Sequence, residues 1–411
     1  MRVLSRPPSA GAGVDPEVEA AVRMTIAKVR EEGDRALLEL TARYDGAELR
    51  PEELRVDPAQ VEAALATVEP ETLTGLRTAI HNVREVVEAQ LHDPVEVQLD
   101  EGQTVAIDEV PVGRVGIYAP AGTTGYPSSL IMCAVTARAA GVGEIAVCAA
   151  PAPDASARPL ILAVCELCGV REVYRIGGAQ AVAALAYGTE TVRRVDVIAG
   201  PGAVHAQEAK RQLTGVVGID GIAGPSELVV LATTGADQEL VALDLVAQGE
   251  HGADSLLVLV SPDPALLRDV GERVEALARD RPSVADADLH LVEAADAGDA
   301  LRIAEEIAPE HLELVGDEAE GLADAVRRAG CLFIGRDAAT AFGDYVAGSN
   351  HVLPTGGAAR FQSALSAATF RRRMARVSIP PGAAARLAPA GAALARAEGF
   401  PVHAESMERR A

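Results

Sequence analysis

The sequence predicts an α/β protein with two Rossmann-like parallel-sheet domains, each incomplete as a dinucleotide fold, and a helical C-terminal arm. Three observations carry this. Nine short β-rich runs (VGRVGIYAP, EIAVCAAP, EVYRIGG, VDVIAGPG, ELVVLA, SLLVLVSP, LHLVEA, HLELVG and CLFIG) alternate with Ala-rich helical stretches. That alternation implies parallel sheets covered by helices on both faces. Nine strands are too many for one mononucleotide-binding half, and 411 residues are too many for one ordinary domain. From Pro380 onward the chain is helical, interrupted by prolines and without strand signal.

Taken in order, residues 1–15 are expected to be an N-terminal extension, broken by proline and glycine and lacking the apolar core of a signal peptide. Pro16 to Tyr44 reads as a charged amphipathic helix, and Pro58 to Leu91 as one or two more. The β/α alternation begins near Val105. We expect residues 16–116 and 228–365 to form the first, discontinuous α/β domain and 117–227 the second. Residues 366–411 would form the arm.

Composition narrows the function classes. A chain that is 49% hydrophobic and 24% charged can build real cores. A net charge of −23 argues against nucleic acid or an anionic membrane as the main partner. No stretch offers about 18 uninterrupted apolar residues. Cys165 and Cys168 make a C-x-x-C, but it lies inside the apolar run LILAVCELCGV with no second pair. Small apolar residues on a packed helix are the expectation there, with thiols kept reduced in a cytoplasm.

Several stretches could carry chemistry. Three glycine-rich turns leave strands and enter helices: IYAPAGTTGYPSS, RIGGAQAVAALAYG and IAGPGAVHAQEAKRQ. Glycine lets the backbone approach a ligand, and helix N-termini present free N–H groups to anions. Yet G-x-G-x-x-G never follows a strand, so each turn reads equally as a tight connection. In LVAQGEHGADS, Gln248 and His251 are three apart on one helical face, either a metal clamp or a polar helix end. IAPEHLELVG sets Glu310 and His311 at the lip of a strand, as a proton-transfer pair or as a surface acid beside a satisfied imidazole. FGDYVAGSNHVLPTGG holds Asp344 and His351 in a long polar loop, and ARAEGFPVHAES puts Glu398 and His403 on the arm. Together Gln248, His251, Asp344 and His403 offer an amide oxygen, two imidazoles and a carboxylate. A thiolate-free mixture of this kind suits Zn²⁺ or Mn²⁺.

AGPSE, QGEHG, APEHLEL, GDY, NHVLPTGGAARF and AEG…H occur in this order from residue 223 to 403. In these motifs the chain closely resembles the histidinol dehydrogenase family, from about residue 16 to the C-terminus. The resemblance implies a four-electron, NAD-linked oxidation of L-histidinol through L-histidinal to L-histidine, the last step of histidine biosynthesis. It implies that Gln248, His251, Asp344 and His403 hold one Zn²⁺ per subunit and lie against the substrate. His311 would be the general base of the hydride steps and Glu310 the group that activates water. Ser226, His351 and Glu398 match substrate contacts, while Tyr118 and Gln180 match positions that touch NAD. The family's homodimer further implies an arm that delivers Glu398 and His403 to the neighbouring subunit.

Departures fall in the cofactor half. Ala121 and Ala203 replace a glycine and an asparagine of the family pattern, and Cys133 stands where asparagine is common. Three rival readings follow: a paralogue oxidising another amino alcohol or diol, a zinc hydrolase in which Glu310 activates water, and an inactive zinc–imidazole binding protein.

Overall fold

The computed structural model describes residues 2–4, 15–120, 125–284 and 286–411, so Ala121 lies outside the described residues. All nine β-rich runs contribute strands. Five of them build most of a six-stranded, all-parallel sheet. Its spatial order is Arg2–Leu4, Asp288–Glu293, Leu256–Ser261, Glu227–Ala232, His311–Val315 and Cys331–Ile334. The central strands ELVVLA and HLELV are buried along their whole length because helices cover both faces. Gln238–Gln248 and Pro264–Arg279 pack on one face and Ala297–Ile307 on the other.

The second sheet is also parallel, with five strands in the order Glu172–Tyr174, Glu144–Ala149, Arg114–Ala119, Val197–Ala199 and Gly218–Ile219. The order switches beside Arg114–Ala119, the place where open α/β sheets leave a crevice at their carboxyl edge. The two faces carry separate apolar cores.

Four domain expectations need correction. Residues 2–4 are an edge strand of the six-stranded sheet rather than part of an extension. Three residues are too few to show an alternating pattern. The helices between 16 and 88, expected with the six-stranded sheet, pack on the five-stranded one. Val22, Ile26 and Val29 meet Ala181–Leu185 on one face, while Leu76, Ile80 and Val83 meet the Pro127–Ala139 helix on the other. An amphipathic stripe shows that a helix has a buried side but not which sheet buries it. The expected boundary at 117 also cuts the strand Arg114–Ala119.

The arm is not wholly helical either. Arg371–Ser378 (RRRMARVS) forms an antiparallel sheet with Thr104–Pro111 and Val95–Gln98. Its charges hid it, because its partner strand supplies the pairing, with Arg373 on Glu109 and Arg376 on Asp108. Beyond it, Pro381–Ala397 and Pro401–Glu408 pack on each other through Ala392, Ala395, Ala404 and Met407. Leu394 and Val402 stay 67% and 73% exposed, so this helical pair presents bare apolar surface.

Cys165 is buried on the packed helix Pro159–Leu167 and Cys168 is buried as its C-cap, and burial pushes both thiols up. No helix among the described residues is long and apolar enough to cross a membrane. Phe370 is fully buried in the core beneath the Pro127–Ala139 helix and anchors the start of the arginine-rich strand. Phe370→Ala should lower unfolding free energy by about 3–5 kcal/mol in urea titrations, the usual cost of an aromatic cavity.

Candidate active site

The site is built at the amino edge of the six-stranded sheet. Buried N–H groups at that rim must be satisfied, and those of Glu227 and Glu310 have no backbone carbonyl for a partner. Two acids do this for each other. The N–H of Glu227 donates to Glu310 Oε2 at 2.9 Å, and the N–H of Glu310 donates to Glu227 Oε2 at 3.1 Å. Glu227 Oε1 accepts from the N–H of Gly356 at 2.8 Å. Glu310 and His311 are 6% and 3% exposed, which excludes the surface reading of this pair. Burial raises Glu310 well above the usual carboxyl range, and the Glu227 and Asp344 carboxylates add to the rise. The Glu227 backbone and the Ser226 hydroxyl pull the other way by hydrogen bonding.

His311 opens its strand. Its Nδ1 lies 3.0 Å from the carbonyl oxygen of Glu227, which can only accept, so Nδ1 carries the proton. Nε2 is left with its lone pair, 4.0 Å from Asp344 Oδ1. Burial lowers the imidazole to about 4, so it is a neutral base at pH 7. Asp344 also lies 3.7 Å from Nε2 of His251. Burial pushes Asp344 up, but the nearby imidazole of His251 and those of His311 and His351 outweigh it and hold the carboxyl low. Asp344 was expected in a loop; it sits on a short helix, Thr340–Tyr345.

His351 donates from Nδ1 to the carbonyl of Asp344 at 2.8 Å, and its Nε2 accepts from Ser129 Oγ at 3.1 Å. Ser129 lies in the first turn of the helix that follows the carboxyl edge of strand Arg114–Ala119. The amino edge of one sheet therefore faces the carboxyl edge of the other. Gln248 ends its helix with His251 one 3₁₀ turn on, and its Nε2 is buried without a partner. The Nε2 of an amide only donates, so Gln248 would ligate through its oxygen. That oxygen, the Asp344 carboxylate and the His251 imidazole 3.7 Å from it make a donor set that suits a divalent ion. Among the described residues, no group of three His, Cys, Asp or Glu side chains is arranged to hold a metal. Glu398 and His403 stay on the helical arm, where His403 stacks near Phe400. No hydrogen bond or ion pair joins either to the residues above among those described.

In the cofactor half, Tyr118 Oη accepts from the N–H of Gly178 at 3.1 Å, and Gln180 is buried in the turn that follows. A Cβ at Gly202 would meet the Tyr118 ring at 2.8 Å, so glycine there opens a cradle over the tyrosine. Ala203 is the exposed N-cap of Val204–Leu213 and offers no side-chain bond. Cys133 is buried in the Pro127–Ala139 helix. Sequence reasoning missed Glu227 and Ser129 as parts of the site. Glu227 was visible in the AGPSE motif as an acid opening an otherwise apolar strand; Ser129 gave no signal.

These features define an α/β enzyme with a buried acid–imidazole pair at the meeting of two parallel sheets. The profile of the family described as "Histidinol dehydrogenase" matches residues 10–411. A histidinol dehydrogenase of Cereibacter sphaeroides is 43% identical, covering 96% of this chain and 92% of that one. One of Gluconobacter oxydans is 41% identical over 96% and 93%. The crystal structure of histidinol dehydrogenase from Elizabethkingia anophelis superposes with a TM-score of 0.93 at 29% identity, covering 100% of this chain and 98% of that one. The chain belongs to the histidinol dehydrogenase family, oxidoreductases of the final step of histidine biosynthesis.

His311 is neutral when folded but titrates near 6.5 when unfolded. The unfolded state thus binds the extra proton as pH falls from about 6.5 to about 4, and stability drops across that window. In the metal-free protein, the stability difference between wild type and His311→Asn should shrink by about 3 kcal/mol from pH 7 to pH 4, read by urea titration at each pH.

Proposed function

We propose that the chain oxidises L-histidinol through L-histidinal to L-histidine, with NAD as oxidant and zinc as anchor for the substrate. The observation that carries this is the orientation of His311, whose Nδ1 is tied to Glu227 while its Nε2 faces Asp344 in buried surroundings. Gln248, His251 and Asp344 would hold the ion together with His403 of the partner subunit, in a homodimer whose exposed arms cross. Bound zinc would pin the substrate's imidazole and amine, which is mainly orientation. NAD, held against Tyr118 and Gln180, would accept hydride once in each oxidation.

The protein's own groups do the proton work. His311 Nε2 takes the hydroxyl proton of the alcohol, and later that of the aldehyde hydrate. Glu310, its proton affinity raised by burial, takes a proton from water as the hydrate forms. Ser226, beside Glu310, would contact the substrate. His351 and Glu398 of the partner subunit would receive the carboxylate end and the amine. Buried free cysteines and an acidic surface fit a cytoplasmic enzyme.

Purified protein given L-histidinol, Zn²⁺ and NAD⁺ should form about two NADH per histidine, as the two hydride steps require. Substrate binding without reduction would instead identify an inactive zinc–imidazole protein. For the crossing arms, His403→Ala and the double variant Glu310→Gln/His311→Ala should each be inactive. Mixed and reassembled, they should regain about one working site per heterodimer. Absence of complementation would remove the shared site.

A further inference from the structure

The strand that opens with His311 carries a second buried acid two residues on, and so on the same face. Glu313 is 2% exposed and takes no part in the chemistry above. Its Oε1 accepts two hydrogen bonds from Thr340, from the backbone N–H at 3.0 Å and from the hydroxyl at 2.8 Å. Thr340 is the first residue of the helix that bears Asp344, and Asp344 lies one turn further along. A six-residue helix is marginal by itself, and its first N–H groups have no partner inside it. The N-cap here is Ala339, which has no side chain able to cap. Glu313 therefore supplies from a distant strand the cap that the local sequence lacks.

The other carboxyl oxygen, Oε2, is buried without a partner. Asp244 is the acidic neighbour that acts on Glu313, after burial, to raise its proton affinity. Burial raises Asp244 as well, to about 6. Asp244 stands on helix Gln238–Gln248, one turn before Gln248, and that helix packs against Thr340–Tyr345. One carboxyl group thus sits where the helix ending in Gln248 and the helix carrying Asp344 come together.

We propose that Glu313 is a positioning residue for the metal-binding set. It fastens the start of helix Thr340–Tyr345 to the strand of His311, beside Asp244, and so holds Asp344 opposite His251. The inference rests on the reading that Gln248, His251 and Asp344 bind a divalent ion. Its test reads zinc binding directly, with the full-length chain competed against a chromogenic chelator at a temperature where every variant is folded.

Glu313→Ala should weaken zinc about tenfold or more, the scale seen when support behind metal ligands is removed. Glu313→Gln should stay within about threefold of wild type, because its amide oxygen still accepts from Thr340 while its NH2 faces Asp244. Thr340→Val, a milder change that spares the fold, should weaken zinc about threefold by deleting one hydrogen bond. The double variant Glu313→Ala/Thr340→Val should be no weaker than Glu313→Ala alone, since both changes break one contact. Wild-type affinity in Glu313→Ala or in Thr340→Val would overturn the inference and leave the zinc reading standing. A wild-type chain that binds no zinc would overturn both. Should Glu313→Ala not fold, the Thr340→Val and Glu313→Gln affinities decide the matter.

Discussion

The reciprocal clamp between Glu227 and Glu310 is the constraint on which the rest of the site depends. Glu227 opens one parallel strand and Glu310 stands immediately before its neighbour, and the N–H of each is satisfied by the other's carboxyl group. The arrangement satisfies the rim of the sheet and at the same time forces two acids into a dry space. Glu310 thereby gains its raised proton affinity, and His311, next in the chain, is tied by Nδ1 to the carbonyl of Glu227. The same four hydrogen-bonding groups satisfy the sheet edge and set the burial that shifts both neighbouring titratable groups.

The amino edge of one sheet becomes a working site only because the carboxyl edge of the other is held across from it. The segment between Asp344 and Gly357 is the connector. Asn350 donates to the carbonyl of Met132 and to Thr136 Oγ1, His351 meets Ser129, and Asn82 donates to the carbonyl of Val346. Gly348 adopts φ +94° with its Cα against the Asn82 backbone, a place where a Cβ would meet a carbonyl oxygen at 3.0 Å. The cofactor side has its own brace. Lys210 and Asp220, both nearly fully buried, pair at 2.5 Å and grip the carbonyl and N–H of Gly200 beside Tyr118. Each half is thus stiffened separately, and the departures at Ala203 and Cys133 leave the acid–imidazole half intact.

Much of this was legible from residues alone. Strand and helix periods repeat along the chain, so all nine β-rich runs and the two-sheet α/β class could be read locally. The pairing of Glu310 with His311 was legible because they adjoin, and the ligand candidates because amides, imidazoles and carboxylates are scarce in apolar surroundings. What the sequence could not show was which partner each stretch would meet. The helices before residue 89 carry a buried stripe that fits either sheet. RRRMARVS looks like surface until Thr104–Pro111 lies beside it, and TAFGDY looks like loop until Glu313 caps it.

By itself, then, the order of residues determined the kinds of element, their local polarity and the chemical groups at hand, because these follow from short-range sterics and from solvation. Tertiary structure alone decided that Glu227 and Glu310 would cap one another, that a surface-looking acid and imidazole would be buried side by side, and that His251 and Asp344 would come within 3.7 Å. Those outcomes depend on dielectric and distance between groups remote in the chain. Such quantities exist only once the chain has packed.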